Sequence, residues 1–552
     1  MKQKTTKHGA GLSGLLLALS FLLTFNSATA QQKDWIYIVT KNDTLWDLSE
    51  KYFPSVGYWK KFKQINGIKD PKLITPGTRL RVPLAWLSDQ PVPAKILATQ
   101  GEVNLTPIKT STPQVVSVGT TIHLGDRLQT GANASASIEF ADGSVVNVRQ
   151  ETDLVFDHLS AYSDTGMVDT RLRLSNGRVD IRAQPAVGPG SRFEIHTPAA
   201  VSAVRGTQYR TAAQQEQSAT WVEVLEGKVA ATGSDKTALV PEAYGTRVLQ
   251  GEAPLPPRPL LQAPQLQPLP AKIERIGWPL TWEPIADAVR YHTEVASQAD
   301  FSLILWERYS DGARTPLPDL ADGSYFVRVR AIDDLGIEGL DRHQRIEIDA
   351  RPQPPAPLDP QDGAAVRIPT PKLSWTDSAE AASYRLQLAT DPEFTRLKLD
   401  QDRLTTTSQQ TSALPLGSYH WRLASISASG EQGPFGPPRT FEIKPLPEKP
   451  EASLSSDKEK VVASWQAGAE GQTYQVQVAE DREFKTLLHD ETLAEPQLEL
   501  PQVKGMLRYL RVRIVEPDGY QGPWGAVQKI DPLPDRGWVY VILGGVLGIL
   551  LL

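Results

Sequence analysis

The 552-residue chain has no cysteine. Disulfides, thiolate nucleophiles and cysteine-ligated zinc are therefore excluded together. Its eight histidines stand singly, without a His-Glu-x-x-His pattern, and neither a GxSxG elbow nor a GxxxxGK[ST] loop occurs. The sequence thus gives no catalytic residue, metal ligand set or cofactor cradle to name. Excess positive charge is also missing: the formal net charge is −6, and −9 once Lys2, Lys4 and Lys7 are set aside. Nucleic acid, a polyanion bound mainly through Lys and Arg, is not an expected partner.

What is present is length and an ordinary folded composition, 40% apolar and 22% charged. Single cores stop growing near roughly 250 to 300 residues, so several domains are expected. The N-terminus places Lys2, Lys4 and Lys7 ahead of an apolar run from Leu15 to Phe25 and then Ala28-Thr29-Ala30. A basic stretch, a short apolar run and an A-x-A site make residues 1–30 a secretory signal peptide, with Gln31 opening the mature chain.

Behind it, Ile36-Tyr37-Ile38-Val39 leads to Asn42-Asp43-Thr44-Leu45-Trp46, and Leu73-Ile74-Thr75-Pro76-Gly77 to Leu80-Arg81-Val82-Pro83. Asn-Asp-Thr is a turn and N-cap signal, and Leu45, Leu48 and Tyr52 fit one face of a helix. Trp59, Phe62 and Ile65 suggest a second helix, stopped at Asn66-Gly67. Residues 35–84 resemble the lysin motif, LysM, a βααβ module that binds N-acetylglucosamine-containing glycans such as peptidoglycan. The family has Gly where this chain has Asn42; Asn tolerates a left-handed backbone, so the turn is expected to survive. The resemblance places a glycan groove on Asp43, Thr44, Leu45, Asn66, Ile68, Leu73, Ile74 and Pro76. The bland alternative is that Leu45, Ile68 and Leu73 are core residues.

From residue 95 to 250 the pattern has a period of two. Ala134 to Phe140 alternate before Asp142-Gly143, Leu172 and Leu174 precede Asn176-Gly177, and Val222 and Val224 precede Glu226-Gly227. Each is expected to be a strand, a tight turn and a returning strand, in an all-β region. The ordered signatures Leu124-Gly125-Asp126-Arg127-Leu128, Ser175-Asn176-Gly177-Arg178-Val179, His196-Thr197-Pro198 and Val204-Arg205-Gly206-Thr207 resemble the FecR domain. That family relays envelope signals from an outer-membrane transducer to a sigma factor, which implies an envelope protein partner here. Arg205 could clamp a carboxylate, but its turn setting reads better as structural.

Seven prolines fall within residues 251–271, predicting an extended spacer. Beyond it Trp282, Trp375 and Trp465 recur at intervals of 93 and 90 residues, each followed by a tyrosine nine residues on (Tyr291, Tyr384, Tyr474) and then by Phe301, Phe394 and Phe484. Three domain-sized units, over residues 272–350, 358–444 and 450–532, resemble fibronectin type III β-sandwiches, with the aromatics as core rather than a sugar-stacking platform. The tail, residues 537–552, is an apolar run expected to be a hydrophobic helix of about 22 Å, short for a bilayer but able to anchor in the inner membrane.

The fold class expected is therefore multidomain and mainly β: a small α+β module, an all-β domain, three sandwiches and a C-terminal hydrophobic helix. The function expected is non-catalytic: an exported, periplasmic protein holding peptidoglycan at one end and the membrane at the other. An envelope sensor acting through the FecR-like domain is the alternative, and a cell-wall-processing enzyme the minor one.

Overall fold

The computed structural model describes residues 34–533. Residues 1–30, expected to be a signal peptide, and the apolar residues 537–552, expected to be a hydrophobic helix, lie outside them; among the described residues, no helix is long and apolar enough to cross a membrane. The architecture is mainly β, and the chain divides into two compact units. One holds the N-terminal module, the β domain and the first sandwich to Glu347; the other holds the second and third sandwiches from Ile348.

The N-terminal module is βααβ. Strand β1 (Asp34–Ile38) pairs antiparallel with β2 (Arg79–Pro83), and α1 (Leu45–Tyr52) and α2 (Trp59–Ile65) lie between them in sequence. Thr44 caps α1, its hydroxyl accepting from Asp47 N at 3.1 Å, which satisfies an amide the helix itself cannot. Asn42 has φ 75° and Gly67 φ 62°, so both turns take the left-handed backbone expected of them. Leu45, Leu48, Tyr52 and Phe62 bury their faces, whereas Ile65 is left exposed.

This module does not close its own core. Met167, from the β domain, is 0% exposed and packs with Leu45, Phe53, Leu80 and Leu87, and Tyr162 joins them. Ser88 N donates to Tyr52 O at 2.8 Å, and Asp89–Pro91 is a strand paired with Asp153–Tyr162.

The β domain is a closed, two-layered barrel around Ile96, Ile138, Val148, Phe156, Leu172, Tyr209 and Val222. Ser135–Glu139 and Val145–Val148 form the hairpin expected around Asp142-Gly143. The other two expected reversals are corners instead. Val168–Ala183 is one continuous strand through Asn176-Gly177: its first half pairs with Asp153–Tyr162 and Arg192–His196, its second with Val145–Val148 and Thr207–Gln214. Gly177, at φ 97°, lets the strand bend from one layer to the other, and a Cβ there would stand 2.5 Å from Thr152 Cα. Similarly Ala219–Glu226 pairs with Thr207–Gln214 and Tyr244–Leu249, while Lys228–Gly233 beyond Gly227 pairs with Val201–Val204 and Lys236–Pro241. Alternation broken by Gly marks both a hairpin and a corner, since each keeps one face inward.

The proline-rich residues 251–271 are not a spacer. Arg258–Pro259 pairs with Tyr244-Gly245, Leu260 is buried against Trp221 and Ile337, and Leu340 N donates to Leu261 O at 2.9 Å. Proline suits such an edge because it leaves no ladder N–H unpaired.

In each sandwich the Trp and Tyr meet edge to face, with centroids 5.2, 5.8 and 5.5 Å apart. Trp282, Trp375 and Trp465 are all buried, so these aromatics are core.

Candidate functional site

The expected groove residues come from two loops, residues 42–45 and 66–76. A backbone bond ties the loops together: Leu45 N donates to Pro71 O at 3.0 Å. Leu45 is fully buried and Ile74 nearly so, and these two support the loops from beneath. Leu73 is 80% exposed, Pro76 is exposed, and Thr44, Asp43 and Ile68 are half-buried. The outer surface thus carries apolar side chains beside backbone polar groups, which suits a sugar ring with an N-acetyl group.

Two of the eight residues serve the frame. Asp43 Oδ2 accepts from Tyr37 Oη at 2.7 Å and Thr40 N at 2.6 Å, closing the first turn. Burial and that hydrogen bond push the Tyr37 hydroxyl up to about 12, so it stays a donor. The Asn66 amide is spent entirely on backbone, donating to Phe62 O and Arg81 O and accepting from Arg81 N at 2.7 Å. It pins β2 to the end of α2.

A second concentration of polar groups went unseen in the sequence. The first sandwich lays the sheet face of Arg290–Ala296 and Gly323–Ile332 against the barrel. From the barrel come Arg149, Arg178 and Arg210 with Asp180 and Glu223; from the sandwich come His292, Glu294, Glu307, Arg328, Arg330, Glu338 and Asp341. Arg210 is 1% exposed; its Nη2 donates to the carbonyls of Glu338 and Gly339 at 3.0 and 2.7 Å, and its Nη1 lies 3.1 Å from Asp341 Oδ1. Arg178 pairs with Glu338, Arg149 pairs with Asp180, and Arg149 Nη1 donates to Phe301 O at 3.2 Å. Within the sandwich Arg328 and Arg330 each reach Glu294 Oε2 at 2.5 Å.

Burial alone would raise these carboxyls. For Glu294 the opposing fields of Arg328, Arg330, Arg149 and His292 win and hold it well below the carboxylate range. Glu338 is held low against burial by Arg178, Arg330 and His292, and Asp341 by Arg330, Arg328 and Arg210. Glu223 goes the other way: burial raises it, and Arg178 and Arg210 offset this only in part. His292 sits between Glu338 and Glu307, 3.1 Å from each, and is raised because these carboxylates outweigh its desolvation.

His292, Glu294 and Glu307 also have the mutual spacing of a metal ligand set. Glu294 is already matched by two arginines and His292 by two carboxylates, so the group works as a node of ion pairs. Arg205, weighed from sequence, is exposed, while Arg210 five residues later carries the contact. The sequence did hold a signal: the repeat positions equivalent to Glu294 and Glu338 are glutamines in the other two units.

Against known proteins, residues 37–83 match the family model described as LysM domain, and residues 126–230 that described as FecR protein. No curated protein matches the chain. Similar solved structures include a Parabacteroides distasonis ATCC 8503 protein described as an anti-sigma factor (16% identity, 24% of this chain and 59% of that one, TM-score 0.21), so less than two thirds of that protein is spanned. They include the FN1–FN3 domains of chicken CNTN1 (18% identity, 49% of this chain and 97% of that one, TM-score 0.23) and the fibronectin(III)-like modules of Clostridium thermocellum CbhA (14% identity, 32% and 93%, TM-score 0.24). The chain carries a LysM domain and a FecR domain, and fibronectin type III domains are among its structural neighbours.

Proposed function

We propose that this is an exported envelope protein that holds peptidoglycan through the groove between residues 42–45 and 66–76, and that presents the FecR barrel beside the wall. The observation that carries this reading is the LysM match together with the paired loops, which bury Leu45 and leave Leu73 exposed. Thr44 and Ile68 flank the surface, and backbone groups of both loops read the sugar amide. The signal at residues 1–30 takes the chain out of the cytoplasm, and the apolar residues 537–552 hold it to the inner membrane. Wall and membrane attachments on one chain then reinforce each other through effective concentration.

The test is co-sedimentation of the full chain with purified peptidoglycan. Leu73→Asp and Pro76→Asp place charge on the exposed sugar face without opening the core, and together they abolish pelleting. Binding that persists in the double variant, or a wild-type chain left in the supernatant, refutes the groove. The FecR match favours a second reading, in which the barrel passes an envelope signal to a protein partner. Deleting the gene then alters transcription of envelope genes, and an unchanged transcript profile removes this reading.

A further inference from the structure

The three sandwiches are built on one plan, which makes their differences informative. In the second, Arg422 donates to Gln387 Oε1 at 2.9 and 2.7 Å and lies between Phe394 and Phe435, 4.0 and 4.2 Å from the ring centres. In the third, Arg511 donates to Gln477 Oε1 at 2.9 and 2.6 Å and lies between Phe484 and Trp524, at 4.1 and 4.3 Å. The first repeats only half of this. Arg328 keeps its ring, Phe301 at 4.4 Å, but its amide partner has become Glu294 and its second ring Asp341. Aligning Gly339, Gly433 and Gly522 sets Glu338 against Gln432 and Gln521, and Asp341 against Phe435 and Trp524. The neutral stack of two repeats is an acidic face in the other.

Those three acids are the ones that meet the barrel arginines. Glu338 pairs with Arg178, Asp341 with Arg210, and Glu294 Oε1 lies 4.0 Å from Arg149 Nε. A glutamine, glutamine, aromatic face would remove three carboxylates and leave the three buried guanidiniums only the barrel's own Asp180 and Glu223 as charge partners, two acids for three cations, and an uncompensated buried charge is costly. Specificity achieved by penalising wrong partners is as effective as rewarding the right one.

We propose that the barrel's arginine face is a selective docking surface for a carboxylate-bearing sandwich face, with Glu294, Glu338 and Asp341 as its specificity determinants. The first sandwich belongs with the barrel for this reason, and the neutral residues at the same positions of the second and third do not match the arginine face. The kind of partner that fits this face is a β-sheet surface with three such acids, supplied here by the chain itself.

The test is made on the full chain with Glu294→Gln, Glu338→Gln and Asp341→Phe combined, residues that the second sandwich already tolerates at these places. Two amides report the contact by hydrogen exchange: Ile304 N, which donates to Ser135 Oγ at 3.2 Å, and Glu338 N, which donates to Glu223 Oε1 at 3.3 Å. Their exchange rises at least roughly a hundredfold, as expected when buried charges lose their partners, and small-angle scattering shows a longer maximum dimension. The amides of Val295 and Val329, inside the sandwich's own sheet, keep their protection. Unchanged exchange at Ile304 and Glu338 overturns the proposal. Should the triple variant lose protection throughout the sandwich, Arg210→Gln decides the matter, since it alters no sandwich residue: selective release of the two amides supports the proposal, and unaltered exchange overturns it.

Discussion

Replacing Met167 with Ala tests whether the LysM domain is an independent bead or a part of the barrel unit. Met167 is fully buried, and it fills the LysM core from outside the LysM sequence. Its surroundings cannot close over a vacancy. Gly190 N approaches Met167 Sδ at 3.3 Å, a Cβ on Gly190 would stand 3.2 Å from the same sulfur, and Trp35 lies 3.8 Å from where a Cβ on Gly188 would be. Met-to-Ala truncation in a core that relaxes poorly costs about 2 to 5 kcal/mol, so about 3 kcal/mol is expected here. For a module of about fifty residues that is most of its stability, since so small a domain buries too little apolar surface to hold much more. By hydrogen exchange the amides of Val39 and Leu80 lose roughly a hundredfold protection while Leu154 and Val222 in the barrel stay as they were. Pelleting with peptidoglycan weakens in step, and Met167→Leu, nearly equal in volume, recovers both. Equal loss in the LysM domain and the barrel, or none in either, would refute the shared core.

The pH dependence of the barrel unit follows from the ion pairs. Glu294, Glu338 and Asp341 are lowered in the folded state, so their stabilisation is fully present above the unfolded carboxyl range, about pH 4, and is lost as pH falls through their lower folded values. Raised His292 acts oppositely: its contribution is complete below about pH 6.5 and is lost as pH rises through its folded value. Glu223, raised, favours acid and opposes the other carboxyls. The Tm of the full chain should therefore peak between about pH 5 and 6.5, and a curve still rising towards pH 3 would refute the assignment. Gly177→Ala should cost more than about 2 kcal/mol in denaturant melts, because positive φ and the approach of Thr152 act together. Gly119→Ala, with φ 87° and open space, should cost only the backbone penalty of about 1 kcal/mol.

The LysM domain was legible because its signals are local. A cap at Thr44, a left-handed Asn42 and the spacing of Leu45, Leu48 and Tyr52 are fixed by neighbours within a few residues. The sandwiches were legible through repetition, since three Trp–Tyr pairs at matched spacing point to one core packing. Gly177 and Gly227 were misjudged because alternation reports which face is buried and not which sheet the next residue joins. The domain joints were misjudged for a related reason. Proline between residues 251 and 271 predicts an extended spacer, and in sequence nothing distinguishes Leu260 and Leu261, which dock the stretch, from ordinary spacer residues. The arginine face was hidden further still, because Arg149 follows the strand Val145–Val148, Arg178 and Arg210 lie in two other strands, and the three meet only in the folded barrel. Its sole trace in sequence lay in the difference between repeats.

That difference also revises what the sandwiches contribute. A threefold array read from sequence suggests three equal spacers between a wall-binding end and a membrane-binding end. The first sandwich, however, buries charged side chains against the barrel, and buried ion pairs contribute little net stability compared with apolar packing of the same shape. Had the joint been selected for strength alone, leucines would have served better than Glu294 and Arg210. What the charges supply is discrimination among three near-identical sandwiches, together with a contact that weakens steeply once any one partner is removed. A joint of that kind fixes one repeat beside the barrel. Inserting a further neutral repeat between residues 444 and 450 is therefore expected to leave the exchange of Ile304 N and Glu338 N unchanged, and a loss of their protection would count against discrimination by charge.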